Sequence, residues 1–470
     1  MLFPSLAFIY IFLPVFLILY FINRSSLYRN LLLLIGSLVF YAWGEPVFVL
    51  MLMAMILVNW GAALWIEKHK QASQPHGTLI AAGAIALNLL PLVFLKVITT
   101  SQWDGAWLQS LRAACPKLSF PLGISFFTFS AIAYIVDVNR DEIKAEHSLL
   151  RVANYMAFFP KLLQGPITRY ADIQEALQHP HSDANEIAEG ARRFIMGLAK
   201  KVIIADNLAV VVRRVFEVEF HELSAGLAWY GLLAFAIQIY LDFSGYSDMA
   251  IGLGSILGFK LPENFNYPYL SRSIADFWRR WHMSLMNFFR TYIFMPLEIA
   301  RRKERHFRQQ SNLLIVFLVT GFWHGISGNF ILWGLYFGVI SVLEATFLGK
   351  WLKKLPAIAQ NLYALALILF GWVFFKIEAV ASWGPFFKAL FGLNAPSPLV
   401  TLRTLNILMY LPLFMLGLIA STPLLKAVYE RLKENQFLSI LTDAGLIALF
   451  ILCTAITVSG SYQAFLYSEF

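Results

Sequence analysis

The sequence predicts an all-α polytopic membrane protein. Three observations carry that expectation. Of the 470 residues, 59% are hydrophobic and only 14% are charged, where an ordinary soluble domain carries about 25%. The mean hydropathy is +0.64. The apolar residues also fall in runs near 20 residues long, the length a helix needs to cross a hydrocarbon core about 30 Å thick. So few charges cannot cover a soluble surface, and so much apolar sequence excludes disorder. The runs do not alternate polar and apolar, which excludes a β-barrel.

Candidate spans fall at 4–22, 30–44, 46–66, 78–98, 119–136, 149–165, 190–215, 225–258, 311–326, 329–348, 361–376, 404–422 and 439–458. Several are short, and 225–258 reads as one long helix or two pieces. The expected count is therefore about 10 to 13. The opening run, Phe3–Ile22, lacks a clear small-residue cleavage site and reads as a retained helix. The middle, 137–225, holds half-length apolar pieces. Re-entrant backbone of that kind is tolerated only where protein or a water-filled cavity covers it. No internal repeat or long polar linker divides the chain. One membrane domain over 1–470 is expected, with a catalytic core at about 119–348.

The net charge is +9. In a membrane protein this excess belongs to cytoplasmic loops and does not imply nucleic acid. Arg24, Arg29, Lys68, Lys70, Arg301, Arg302, Lys303, Arg305, Arg308, Lys350, Lys353, Lys354, Lys426, Arg431 and Lys433 all fit inside together. That arrangement puts both termini outside. Cys115 and Cys453 have no metal-ligand spacing, so neither a disulfide scaffold nor a metal site is expected.

Ionisable groups within apolar sequence are costly and mark candidate sites. Four such islands stand out. In Gly321-Phe322-Trp323-His324-Gly325, His324 closes a short span and a return helix starts near Phe330. Gly325 and Gly328 permit the turn, and Gly334 and Gly338 permit close helix packing. His324 is either a general base for a hydroxyl or a packing histidine. In Asp276-Phe277-Trp278-Arg279-Arg280-Trp281-His282, Asp276 can pair with Arg280 one helical turn on. That stretch is either an interfacial anchor or an anion-facing element with His282 near the chemistry.

The third island, Asp242–Met249, interrupts a long apolar run with two carboxylates and three hydroxyls. Gly245 suggests a break between half-helices. A polar tunnel wall and interhelical hydrogen bonding are the two readings. The fourth holds Lys161 and Arg169 around Pro160, Gly165 and Pro166, which prevent one continuous helix. These cations are candidates for an anionic cofactor, and a plain cytoplasmic loop explains them equally. Lys200–Lys201 and Asp206–Asn207 read as an interfacial boundary. No phosphate-binding loop, HExxH or GxSxG motif is present.

Together the islands resemble the membrane-bound O-acyltransferase family, and within it the bacterial alginate and peptidoglycan O-acetyltransferase subunits. The strongest stretch holds LDFSGYSDMAIGLG from Leu241, PENFNYPYLSRSIADFWRRWHMSL from Pro262, and GFWHG from Gly321. Phe12–Phe16, Phe40–Trp43, Pro121–Phe129 and Gly165–Ile167 fit as well. The resemblance implies a helical bundle with a central tunnel. A cytoplasmic acyl thioester, acetyl-CoA, would enter one side and an acceptor hydroxyl the other. It implies catalysis by His324 and His282, with Ser247, Asp248, Asn264, Arg279, Arg280 and Trp323 lining the tunnel. It also implies a bacterial inner-membrane location and a separate periplasmic or membrane-anchored glycan acetyltransferase as partner, with no bound cofactor. The loop at 377–403 is too short to hold a glycan-modifying site itself.

After RWHMSL the sequence departs from the alginate pattern. Thr291 stands where that branch usually has Asp, and its Gly-Gly is missing after Pro296-Leu297. This part resembles the branch that moves D-alanine onto teichoic acid. The expected acceptor is peptidoglycan first and an alginate-like exopolysaccharide second. Transfer of D-alanyl groups and non-enzymatic solute transport are the alternatives.

Overall fold

The computed structural model describes residues 1–72, 76–100, 105–114, 119–304, 306–398, 400 and 405–460. Cys115 and Arg305 lie outside these. Every regular element among the described residues is helical. Six helices are long and apolar enough to cross a membrane: Phe48–Gln71, Gly77–Thr99, Ala225–Ile256, Gly328–Leu352, Ala357–Lys376 and Gln436–Val458. The pair Asn406–Ala420 and Leu424–Lys433, bent by 71°, makes a seventh if it crosses as one span. Shorter apolar helices cover Phe8–Ile22, Ser26–Ala42 and Ile124–Asn139. The protein is thus a multi-pass, all-helical membrane protein.

The chain divides into two compact units: Met1–Met196 with Tyr246–Glu263, and Gly197–Gly245 with Asn264–Phe470. In the first unit, Phe48–Gln71 pairs with the following span through two amides. Asn59 and Asn88 exchange hydrogen bonds at 2.8 Å, and each also donates to a carbonyl one turn back. Paired amides of this kind join helices in lipid at little cost, because no polar hydrogen is left bare. The short helix Ile124–Asn139 starts at Gly123, whose φ of +79° suits only a residue without a side chain. Proline does break the chain at 149–165 into Leu149–Ala157 and Phe159–Leu162. Glu146 ties the preceding loop down: Arg151 donates to both its oxygens at 2.9 Å and Tyr170 donates at 2.7 Å.

In the second unit, Arg308–His324 and Gly328–Leu343 form an antiparallel pair. Gly321 and Gly334 meet where they cross. A Cβ on Gly334 would meet the Phe317 carbonyl and the Gly321 backbone, so only glycine allows this approach. Ala357–Lys376 packs against the return helix and brings Trp372 and Phe375 into an aromatic core with Phe277, Trp278 and Phe337.

Two expectations change. Ala225–Ile256 is one 32-residue helix, and Gly245 does not break it. Instead a Cβ at Gly245 would lie 2.8 Å from the Gly197 carbonyl, so the glycine serves close packing. Lys201 and Asp206 are also not exposed at the protein surface. The Lys201 ammonium lies 2.7 Å from both the Asp206 and the Asp242 carboxylates, and all three are buried. The π-helical turn Lys200–Ala205 changes the helix phase just there.

Candidate active site

The second unit carries the histidines. His324 is the last residue of its helix and is buried. Its imidazole sits among the rings of Trp323 (4.6 Å between centroids), Trp333 (5.0 Å), Phe375 (5.1 Å) and Phe330 (6.1 Å). Gly325 leaves the helix in extended backbone, and any side chain there would strike the Phe330 ring.

His282 lies between two short helices, Ile274–Trp278 and Met283–Phe289. The charged stretch is therefore not one amphipathic helix; it turns at Arg279–Trp281. The Asp276–Arg280 pair is present at 3.2 Å, and Arg279 reaches the same oxygen at 3.4 Å. His282 is buried beside Phe243, whose ring lies 4.7 Å away. It lies outside the six candidate spans, and burial pushes its pKa down from 6.5 to about 3, so the ring is neutral. Its Nδ1 lies 3.0 Å from Asn264 Oδ1. The Trp323 indole reaches both histidines, 6.3 Å from the His282 ring and 4.6 Å from that of His324. Thus Asn264, His282, Trp323 and His324 come together, although 60 positions separate the ends of the set.

The same unit holds a cavity of about 1090 Å³. Arg272, Arg279, Arg280, Arg290 and Lys353 line it, against two carboxylates, Asp276 and Glu344. Its apolar lining includes Trp278, Met283, Met286 and Phe317. Two of its wall residues connect to the histidines. Met283 follows His282 in sequence, and the Trp278 ring lies 5.7 Å from Trp333, which in turn abuts His324. The indole N–H groups of Trp278 and Trp333 are buried with no acceptor among the described residues. A buried donor without a partner costs about 1–3 kcal/mol, which an incoming carbonyl oxygen would relieve.

Sequence reasoning did not single out Glu344 or Arg290. Glu344 accepts the Ile274 and Ala275 N–H groups at 2.8 and 2.9 Å, and Tyr363 donates to it at 3.2 Å. This carboxylate pins the start of the arginine-bearing turn to the return helix. A lone acid at the end of an apolar span was the available signal.

The remaining candidates lie in the first unit. Ser247 is buried. Asp248 accepts two hydrogen bonds from Arg193, at 3.0 and 2.9 Å, and the same guanidinium holds Glu263. Lys161 is buried, donating to Ser130 Oγ at 3.0 Å and lying 4.0 Å from the Tyr155 ring centroid. Arg169 pairs with Glu142 at 3.4 Å and starts the Tyr170–Gln178 helix.

The profile of the MBOAT, membrane-bound O-acyltransferase family, matches residues 137–377, which includes both histidines and all the residues that line the cavity. The chain is 37% identical over 405 residues to the probable alginate O-acetylase AlgI of Pseudomonas aeruginosa, covering 83% of this chain and 75% of that protein. It is 33% identical over 431 residues to the peptidoglycan O-acetyltransferase of Helicobacter pylori, covering 84% and 81%. The teichoic acid D-alanyltransferase of Bacillus subtilis is 31% identical over 302 residues, covering 62% and 74%. With a family profile matching over half its length and relatives 37% and 33% identical over most of it, the chain belongs to the membrane-bound O-acyltransferase family.

Proposed function

We propose that this enzyme moves an acetyl group from cytoplasmic acetyl-CoA across the inner membrane, for O-acetylation of an extracytoplasmic glycan. The observation that carries this reading is the cavity: it is lined by five basic side chains and by apolar ones, and its wall residue Trp278 packs on Trp333, which abuts His324. An anionic thioester with a long flexible arm matches that lining. The arginines raise its local concentration and the apolar wall takes the arm. Arg279 lines the cavity and is largely exposed, so Arg279→Gln should raise KM for the thioester about threefold to fivefold, the effect of an exposed charge contact. kcat should stay within about twofold. A change in kcat alone, with KM unmoved, would contradict the donor-binding role.

At the centre, the acceptor oxygen attacks the thioester carbonyl as His324 takes its proton. A buried N–H donor such as that of Trp333 receives the developing oxyanion. Collapse expels the thiolate, which leaves as free thiol after gaining a proton. Bringing both reactants to one dry point supplies the orientation. Lys161 and Arg169 are candidates for donor contact, and Ser247 and Asp248 for the acceptor path. A periplasmic or membrane-anchored transferase would carry the acetyl group onward, and both termini would face the periplasm.

Peptidoglycan is the favoured acceptor: Thr291 and the absent Gly-Gly set the chain apart from the alginate pattern, and its likeness to a peptidoglycan O-acetyltransferase spans most of both chains. The higher identity to alginate O-acetylases supports an alginate-like exopolysaccharide as the second reading. The deciding experiment measures base-labile acetate in purified peptidoglycan and in exopolysaccharide, from cells with wild type, His324→Ala or no protein. Acetate in one fraction, lost in the variant, identifies the acceptor. If neither fraction changes while His324→Ala is present and folded, glycan acetylation is refuted and D-alanyl esters are the next product to assay.

A further inference from the structure

His282 holds φ 45° and ψ 53°, in the left-handed region that side chains avoid. Such a conformation costs of order 1–3 kcal/mol and persists only where neighbours enforce it. Asn264 supplies the enforcement. Its carbonyl accepts the Met283 N–H at 2.9 Å. Its side-chain Oδ1 meets His282 Nδ1 at 3.0 Å, the Ser284 N–H at 3.2 Å and the Ser284 hydroxyl at 2.9 Å. Two residues further on, the Asn266 N–H donates to the Arg280 carbonyl at 2.9 Å. The 264–266 segment therefore grips the chain on both sides of His282.

The Ser284 N–H decides the chemistry of this grip. A backbone N–H can only donate, so the Asn264 atom facing it is the carbonyl oxygen and not the amide nitrogen. That same oxygen faces His282 Nδ1, which must therefore carry the hydrogen. In a neutral imidazole the lone pair then belongs to Nε2. We propose that Asn264 is a positioning residue that locks His282 as the Nδ1–H tautomer, so that Nε2 serves the acyl transfer as an acceptor. The catalytic half of this inference rests on the acyltransferase reading above; the tautomer half rests on geometry alone.

The ring is otherwise faced by Phe243, Phe265 and Trp323, from three different segments. The titratable groups nearest along those segments are Asp242, paired with Lys201; Glu263, paired with Arg193; and His324 next to Trp323, while on the ring's own segment Arg280 is paired with Asp276. A neutral carboxamide at 264 gives the ring an acceptor without giving it a counter-charge. An Asp in its place would favour the imidazolium and protonate Nε2 as well.

The test uses full-length protein labelled with nitrogen-15 histidine in detergent, with the His282 signals identified by their loss in His282→Gln. Wild type should show a protonated Nδ1 and an unprotonated Nε2 from about pH 6 to 8. Asn264→Asp, nearly the same shape, should raise the pH at which Nε2 takes up a proton by about one unit or more, and move the acid limb of the pH–rate profile up with it. A protonated Nε2 in wild type overturns the proposal. So does an Asn264→Asp protein that loses rate equally at every pH with its ring signals unmoved, since that is the mark of a merely structural residue. If the tautomer is as expected but His282→Gln turns over at the wild-type rate, the lock stands and the catalytic use of His282 falls.

Discussion

In purified protein, His324→Gln should lower thioester-dependent acyl transfer by about 10² to 10⁴-fold, the usual contribution of a positioned general base. The imidazole is buried among Trp323, Trp333, Phe330 and Phe375, where bulk water cannot substitute as the base. Glutamine has a similar reach and keeps a polar end, so the fold should survive. The measurement is release of free thiol with a soluble hydroxyl acceptor, alongside a thermal melt in detergent. A variant that melts like wild type yet turns over within tenfold of it would remove His324 from the chemistry. Solute flux without thiol release would instead favour the transporter alternative.

The second large effect is on stability. Lys201→Met should cost about 3–5 kcal/mol, the usual penalty for breaking a buried ion pair by removing one partner. The Lys201 ammonium lies 2.7 Å from two carboxylates, and their side chains are only 4% and 2% exposed. Without it, Asp206 and Asp242 face each other across low-dielectric core. Adding Asp242→Asn to Lys201→Met should restore part of the loss, because it withdraws one of the stranded charges. The readout is the melting temperature in detergent and the yield of folded protein. If Lys201→Met melts within a degree or two of wild type, the cluster is not holding the Lys200–Ala205 turn to the Ala225–Ile256 helix.

These two residues were unequally visible in the sequence. His324 stood out because a lone imidazole at the end of an apolar run has few explanations in lipid. Lys201 looked ordinary, since Lys200–Lys201 between two helices resembles any interfacial pair. Its burial depends on a π-helical turn, which shifts the helix phase and leaves no composition signal. Gly245 misled for a related reason. A glycine inside a long helix reads equally as a break or as a close contact, and the Gly197 carbonyl that decides between them lies 48 positions away.

The sequence alone determined the class of protein, because too few charges and span-length apolar runs admit only a helical membrane fold. It also marked most polar groups at the site, because each ionisable residue in apolar sequence has to answer for its desolvation. The tertiary structure decided what each of those groups does. Asp248 faces Arg193, Asp242 faces Lys201, and Arg279 and Arg280 turn to a cavity. Asn264 reaches His282 across 18 positions to set its backbone and its tautomer. Local sequence fixes which groups are polar and where a helix can form. Partners brought together from distant segments exist only once the chain has packed, and it is the partner that fixes a charge, a proton and a role.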